Sequence, residues 1–237
     1  MKRGTILTAI CASALLALAT ESKAGSLNFT GTGTGLDVEG DFSWSAGSMT
    51  ITLKNLEQNP VSASQLLNGV NFDITGANGS GSLTTSGSGN TTTISSGGSY
   101  TAGVSTSLTR YNTSESGNAV TMTALGGGQP SQLIIGPDDH GGFDPTKGKF
   151  SAANSSIINF NPNVLGSAIF TISIPGITSS STISDVVFTF GTQAGEASAP
   201  GVPNTPHGGV PDGASTVTLL GAVLTGMGLF RRKLAKG

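Results

Sequence analysis

The chain is all but devoid of cysteine: Cys11 is the only one, and it lies within the apolar stretch near the N-terminus. Thr8-Ala9-Ile10 before it is not the small-residue approach of a lipoprotein cysteine. With that segment removed, disulfides and thiolate metal sites are both excluded, so the body must be held by its own core. Charge is scarce as well, at 10% of residues where about 25% is usual. One tryptophan (Trp44) and two tyrosines (Tyr100, Tyr111) offer little for stacking on sugars. Histidine is limited to His140 and His207, and the second lies among linker prolines. A Ser-His-Asp arrangement would therefore have to use His140, and no Gly-x-Ser-x-Gly nucleophile turn is present. A carboxylate pair for glycoside hydrolysis leaves no trace in sequence spacing and stays open. The expectation is a protein that is not an enzyme and needs no cofactor. Residues 25–211 hold eleven acids against four bases, a net of −7. That balance argues against nucleic acid as a partner, because phosphate binding needs clustered Lys and Arg.

What is present begins with an export signal. Lys2 and Arg3 precede an apolar run from Ile6 to Ala19, and Ser22-Lys23-Ala24 supplies small residues before Gly25. This three-part pattern predicts a signal peptide over 1–24, cut by signal peptidase. Ala17-Leu18-Ala19 is an alternative cleavage site, and a retained anchor is the plainer reading of the same run. That run is short for a ~30 Å hydrocarbon core, which takes about 20 helical residues.

The other end carries a second pattern. Pro200, Pro203 and Pro206 punctuate a predicted linker over 198–209, ending at Gly208-Gly209. Val210-Pro211-Asp212-Gly213 follows, then an apolar run from Val217 to Phe230, then the stop-transfer cluster Arg231-Arg232-Lys233 with Lys236 beyond. As a helix this run reaches about 21 Å, which snorkelling flanks or a thinned bilayer can accommodate. It is apolar on all sides, unlike an amphipathic core helix. Its basic end belongs on the cytoplasmic side. Motif, short apolar helix and basic end, in that order, resemble the C-terminal sorting domain of exosortase substrates, the PEP-CTERM class. The nearest variant of that motif reads Val-Pro-Asp-Ser-Gly; here Gly213 and Ala214 follow Asp212. The resemblance covers 210–237. It implies a Gram-negative host, an exosortase-type membrane transpeptidase as partner, and delivery from an inner-membrane-anchored precursor to the cell surface or an exopolysaccharide matrix. A plain membrane anchor is the alternative.

Between the ends, residues 25–197 read as one all-β ectodomain, an antiparallel β-sandwich or jelly-roll-like unit. Period-two alternation places Met49, Ile51 and Leu53 on one face, with Thr50 and Thr52 on the other. Leu36, Val38, Phe42 and Trp44 form a second set, and Val70, Phe72 and Ile74 a third. Val120 to Ala124, Leu133 to Ile135, Ala168 to Ile174 and Val186 to Phe190 complete the predicted strands. Asn68-Gly69, Asn78-Gly79 and Pro175-Gly176 are the turn candidates. Gln65-Leu66-Leu67 can form one short helical turn. The Gly/Ser/Thr run from Gly79 to Gly103 is either a surface hairpin or a loop, with Thr91 to Ile94 its best strand. Phe29 to Leu56, Gly166 to Ile172 and Val187 to Thr192 also resemble, more loosely, the opening and closing strands of other sorting-tail proteins.

Two acidic groups are the metal candidates. Asp138, Asp139 and Asp144 occupy a loop rich in Gly and Pro, an oxygen-rich setting of the kind calcium requires. Asp37, Glu39 and Asp41 alternate along one side of an extended segment. Neither has EF-hand spacing, and Asp in turns most often bonds its own backbone. The sequence thus favours an inert surface or matrix protein. A carbohydrate- or calcium-binding adhesion module is the alternative, and a secreted hydrolase stands third.

Overall fold

The computed structural model describes residues 24–151 and 155–204. The predicted signal peptide up to Lys23, the predicted sorting motif Val210-Pro211-Asp212-Gly213, the apolar run, Arg231-Arg232-Lys233 and His207 lie outside the described residues.

The described residues run through fourteen strands. They are β1 (Gly25–Gly33), β2 (Leu36–Ser45), β3 (Ser48–Asn55), β4 (Leu67–Ile74), β5 (Gly79–Leu83), β6 (Thr85–Thr92) and β7 (Val104–Ser107). After them come β8 (Asn112–Gly117), β9 (Ala119–Thr123), β10 (Ile134–Ile135), β11 (Asn163–Ser173), β12 (Ile183–Phe190), β13 (Ala197–Pro200) and β14 (Val202–Asn204). Among the described residues, helix is confined to a 3-10 turn at Ala63–Gln65 and one turn at Ser155–Ile158. At the first, Gln65 Oε1 accepts from the Ser62 backbone N–H at 3.1 Å, which caps the start of the turn.

All fourteen strands belong to one hydrogen-bonded network. One arm runs β14-β1-β2-β3-β11-β6-β7, the other β13-β12-β4-β9-β8-β5, and every pairing inside an arm is antiparallel. The short β10 joins them, parallel to β11 and antiparallel to β4 at Ile134↔Leu67. The sheet is therefore mixed, not purely antiparallel as expected. Asn55, buried at the end of β3, fixes the junction. Its amide donates to the carbonyls of Ile134 and Gln65, each at 2.8 Å.

The arms face each other and enclose the core, giving a β-sandwich-like, all-β fold. Phe42 on β2 meets Phe72 on β4 edge-on at 5.4 Å. Alternation decides which residues turn inward. Met49, Ile51 and Leu53 are buried while Thr50 and Thr52 stay half-exposed, and β2, β11 and β12 repeat the pattern. Space for large inward residues comes from glycine on neighbouring strands. A Cβ added to Gly40 or Gly31 would lie 2.8 Å and 2.9 Å from the Phe188 ring, and one at Gly87 would lie 2.7 Å from Phe170.

Three local expectations change. Asn68-Gly69 lies inside β4, not in a turn: Gly69 lets the backbone approach the Met122 carbonyl, and buried Asn68 donates to the Gly191 carbonyl at 2.9 Å. After β4 the turn falls at Thr75-Gly76, and Gly79 already begins β5. The Gly79 to Gly103 run, read as a hairpin or a loop, contributes β5 and β6, and β6 forms a hairpin with β7 while pairing with β11. The Pro175-Gly176 turn stands as read, with Gly176 at φ 89°. Residues Ala197–Pro200 and Val202–Asn204, placed mainly in the linker, form β13 and β14. Pro200 and Pro203 fit there because both strands are edges, where a missing N–H breaks no ladder.

Candidate functional site

The loop from Gly136 to Ser151 carries the densest set of functional side chains. Asp138 is 1% exposed, and Gly148 makes the room, since a Cβ there would press on both carboxylate oxygens. The Tyr100 hydroxyl donates to Asp138 Oδ2 at 2.7 Å, and the backbone N–H groups of His140 and Gly142 donate to Oδ1 at 2.9 and 3.3 Å. Burial first, and then this bond to a carboxylate, push the Tyr100 hydroxyl well above the ordinary tyrosine range. Tyr100 also packs on Phe150 at 5.2 Å, which ties the loop to the core.

Asp139 and Asp144 organise the loop's surface. Asp139 Oδ1 accepts from the Lys149 backbone N–H and contacts His140 Nδ1, each at 2.9 Å, and the Ser151 hydroxyl donates to Oδ2 at 3.1 Å. The Lys149 amide, then His140, lower the Asp139 carboxyl to about 2. Asp144 Oδ1 takes the Thr146 hydroxyl at 2.6 Å and the Thr146 N–H at 3.0 Å, and Oδ2 pairs with Lys147 at 3.0 Å. The Thr146 hydroxyl, then Lys147, hold Asp144 at about 2. Both carboxyls sit below their unfolded values, so these contacts are fully present above pH ~4 and disappear as pH falls toward ~2. The amide NMR shifts of Thr146 and Lys149 should accordingly titrate with midpoints near 2. Midpoints at the ordinary value would show that these bonds are not formed in solution.

Among the described residues, Asp138, Asp139 and His140 bring potential metal-ligating atoms within 4.8 Å of one another. Asp144 is not in that group. Each carboxylate oxygen there already accepts a protein donor, and a cation would have to replace some of those bonds. Sequence reading missed Tyr100, Gly148 and the amides of Lys149 and Gly142. Nothing at those positions distinguishes a loop scaffold from ordinary turn residues.

The second acidic group is closed by a lysine. On the outer face of β2, Glu39 and Asp41 receive Lys54 Nζ from β3 at 2.8 and 2.7 Å, and Asn28 Nδ2 from β1 at 3.0 and 2.5 Å. Partial burial opposes ionisation of Asp41, yet the Lys54 and Asn28 bonds hold its carboxyl below the usual range. Asp41 and Glu39 raise Lys54 in turn. The clamp is thus complete between the carboxylate and lysine ranges. It weakens as acid passes below the Asp41 value or as base passes above that of Lys54. Asp37 stands apart from the clamp. Burial, and then Asp37, raise the neighbouring Glu57 carboxyl.

Fold and site together define an all-β protein in which Glu39, Asp41, Asp138, Asp139 and Asp144 are engaged in holding loops and strands. No protein-family model, no curated protein and no solved structure matches the chain.

Proposed function

We propose that the chain is a non-enzymatic exported protein of the cell surface or extracellular matrix. Its body is a single β-sandwich domain, and its C-terminal tail is processed by an exosortase-type transpeptidase. The observation that carries this reading is the pairing of the body's two terminal strands. β1 begins at Gly25 and β14 ends at Asn204, and they pair antiparallel with Asn28 opposite Asn204. The described body thus pairs its first strand with its last, which supports reading it as one unit lying between the two targeting segments. The engagement of Asp138, Asp139 and Asp144 by loop donors supports a structural role over a catalytic one.

Replacing Val210-Pro211-Asp212 by three alanines tests the tail. The precursor should accumulate unprocessed in the inner membrane, surface-exposed protein should fall to background, and the melting temperature of the body should not change. Normal surface delivery of this variant would sink the sorting assignment.

The second reading, a cation-dependent adhesion module, draws on the grouping of Asp138, Asp139 and His140. It requires a calcium-dependent rise in melting temperature that Asp139→Asn removes.

A further inference from the structure

Trp44 is the chain's only tryptophan, and it lies opposite Gly25 on the last rung of the β1–β2 hairpin. A Cβ built on Gly25 would lie 2.5 Å from Trp44 Nε1 and closer still to Cζ2 and Cε2, with Cε2 the nearest. A point beside the ring edge would be nearer to Nε1 and Cζ2 than to the Cε2 that joins them. The glycine backbone therefore rests on the indole face, as aromatic side chains do when they cover a glycine across a strand pair. Trp44 is 5% exposed, and its N–H has no acceptor among the described residues. The indole therefore lies between the hydrophobic core, to which it belongs, and the Gly25 backbone. Bond lengths then keep the Gly25 nitrogen within about 5 Å of the indole.

We infer that signal peptidase cuts between Ala24 and Gly25, and that the α-ammonium released on Gly25 is received by the indole of Trp44. Hydrolysis of that peptide bond leaves a carboxylate on Ala24 and an ammonium on Gly25. Before the cut this nitrogen is a neutral amide; afterwards it is a cation within the range of a cation–π contact, about 6 Å from a ring centroid. The glycine is required because any side chain there would overlap the indole. No titratable group stands at the strand positions beside it. The neighbouring rungs Trp44–Met49 and Ser26–Ser43–Thr50 carry no titratable group, nor does the Ile174 to Ile177 segment bonded to Gly47. The nearest acid on β2, Asp41, is held on the opposite face by Lys54 and Asn28. This inference rests on the export reading but not on the fate of the tail.

The test uses the full-length chain expressed in an exporting bacterium. The N-terminus of the exported product is identified by mass spectrometry, and its tryptophan emission is followed from pH 6 to 10. The expected product begins at Gly25. Its emission changes reversibly with one midpoint at or above the ordinary α-amino value of about 8, and selective acetylation of the α-amine abolishes that change. A product that begins at Gly25 but has flat emission, or titrates identically after acetylation, overturns the Trp44 contact. A product beginning at Thr20 overturns the cleavage position while leaving export intact. One that retains Met1 overturns both.

Discussion

Replacing Phe188 by alanine is expected to destabilise the fold by about 3–5 kcal/mol, the range for truncating a fully buried phenylalanine. The ring is completely buried on β12 and projects across the core into a slot formed by Gly40 of β2 and Gly31 of β1. Both strands are fixed by long antiparallel registers, so the slot cannot collapse onto a smaller side chain without disturbing several ladders. The converse change, Gly40→Val, should also destabilise, because its Cβ would sit 2.8 Å from the Phe188 ring. Combining the two lets the added valine enter the space the ring has left. The double variant should then be less damaged than the sum of the single changes, with a coupling of about 1–2 kcal/mol. Urea denaturation of the four proteins measures this directly. Strict additivity would mean that Gly40 and Phe188 do not share a packing site.

Asp138→Ala should have the second-largest effect, about 3 kcal/mol, because each hydrogen bond to an ionised group contributes roughly 1.5–3 kcal/mol and its buried partner is then left unsatisfied. The buried partner stranded is the Tyr100 hydroxyl, and the part-buried N–H groups of His140 and Gly142 lose their acceptor as well. Tyr100→Phe removes one donor and nothing else, so it should show a fraction of the loss. Asp138→Asn keeps the shape but lacks one acceptor oxygen, and should fall between the two. Hydrogen exchange should show the loss concentrated in residues 138–151. If Asp138→Ala leaves both the stability and the exchange of that loop unchanged, Asp138 is not the loop's anchor.

The main strands were legible because burial follows period-two alternation of apolar and polar residues, as in β2 and β3. Where the inward positions are not apolar, the signal disappears. β6 turns Thr85, Gly87 and Gly89 inward before burying Thr92, and the glycines are there to admit Phe170 and Val164. Its alternation is one of size, which an apolar pattern cannot reveal. Asn68-Gly69 misled for a related reason. The pair that suits a hairpin turn serves here as a buried amide and a close backbone approach. β13 and β14 were hidden by prolines that only an edge strand tolerates. At the loop, the sequence marked the three aspartates but not what they bind. Tyr100 lies far along the chain from Asp138, and the remaining donors are backbone groups that any residue supplies. Whether an aspartate cluster takes a cation or an amide is decided by this long-range closure.

The most direct test of the central claim is peptide mass spectrometry of the protein recovered from the surface fraction of its own host. The sorting account predicts that Val217 to Gly237 is missing and that the last peptide ends between Val210 and Gly213, while peptides from β14 are retained. Surface material that still contains Phe230 and Arg231 would contradict it, and would identify the tail as a permanent membrane anchor.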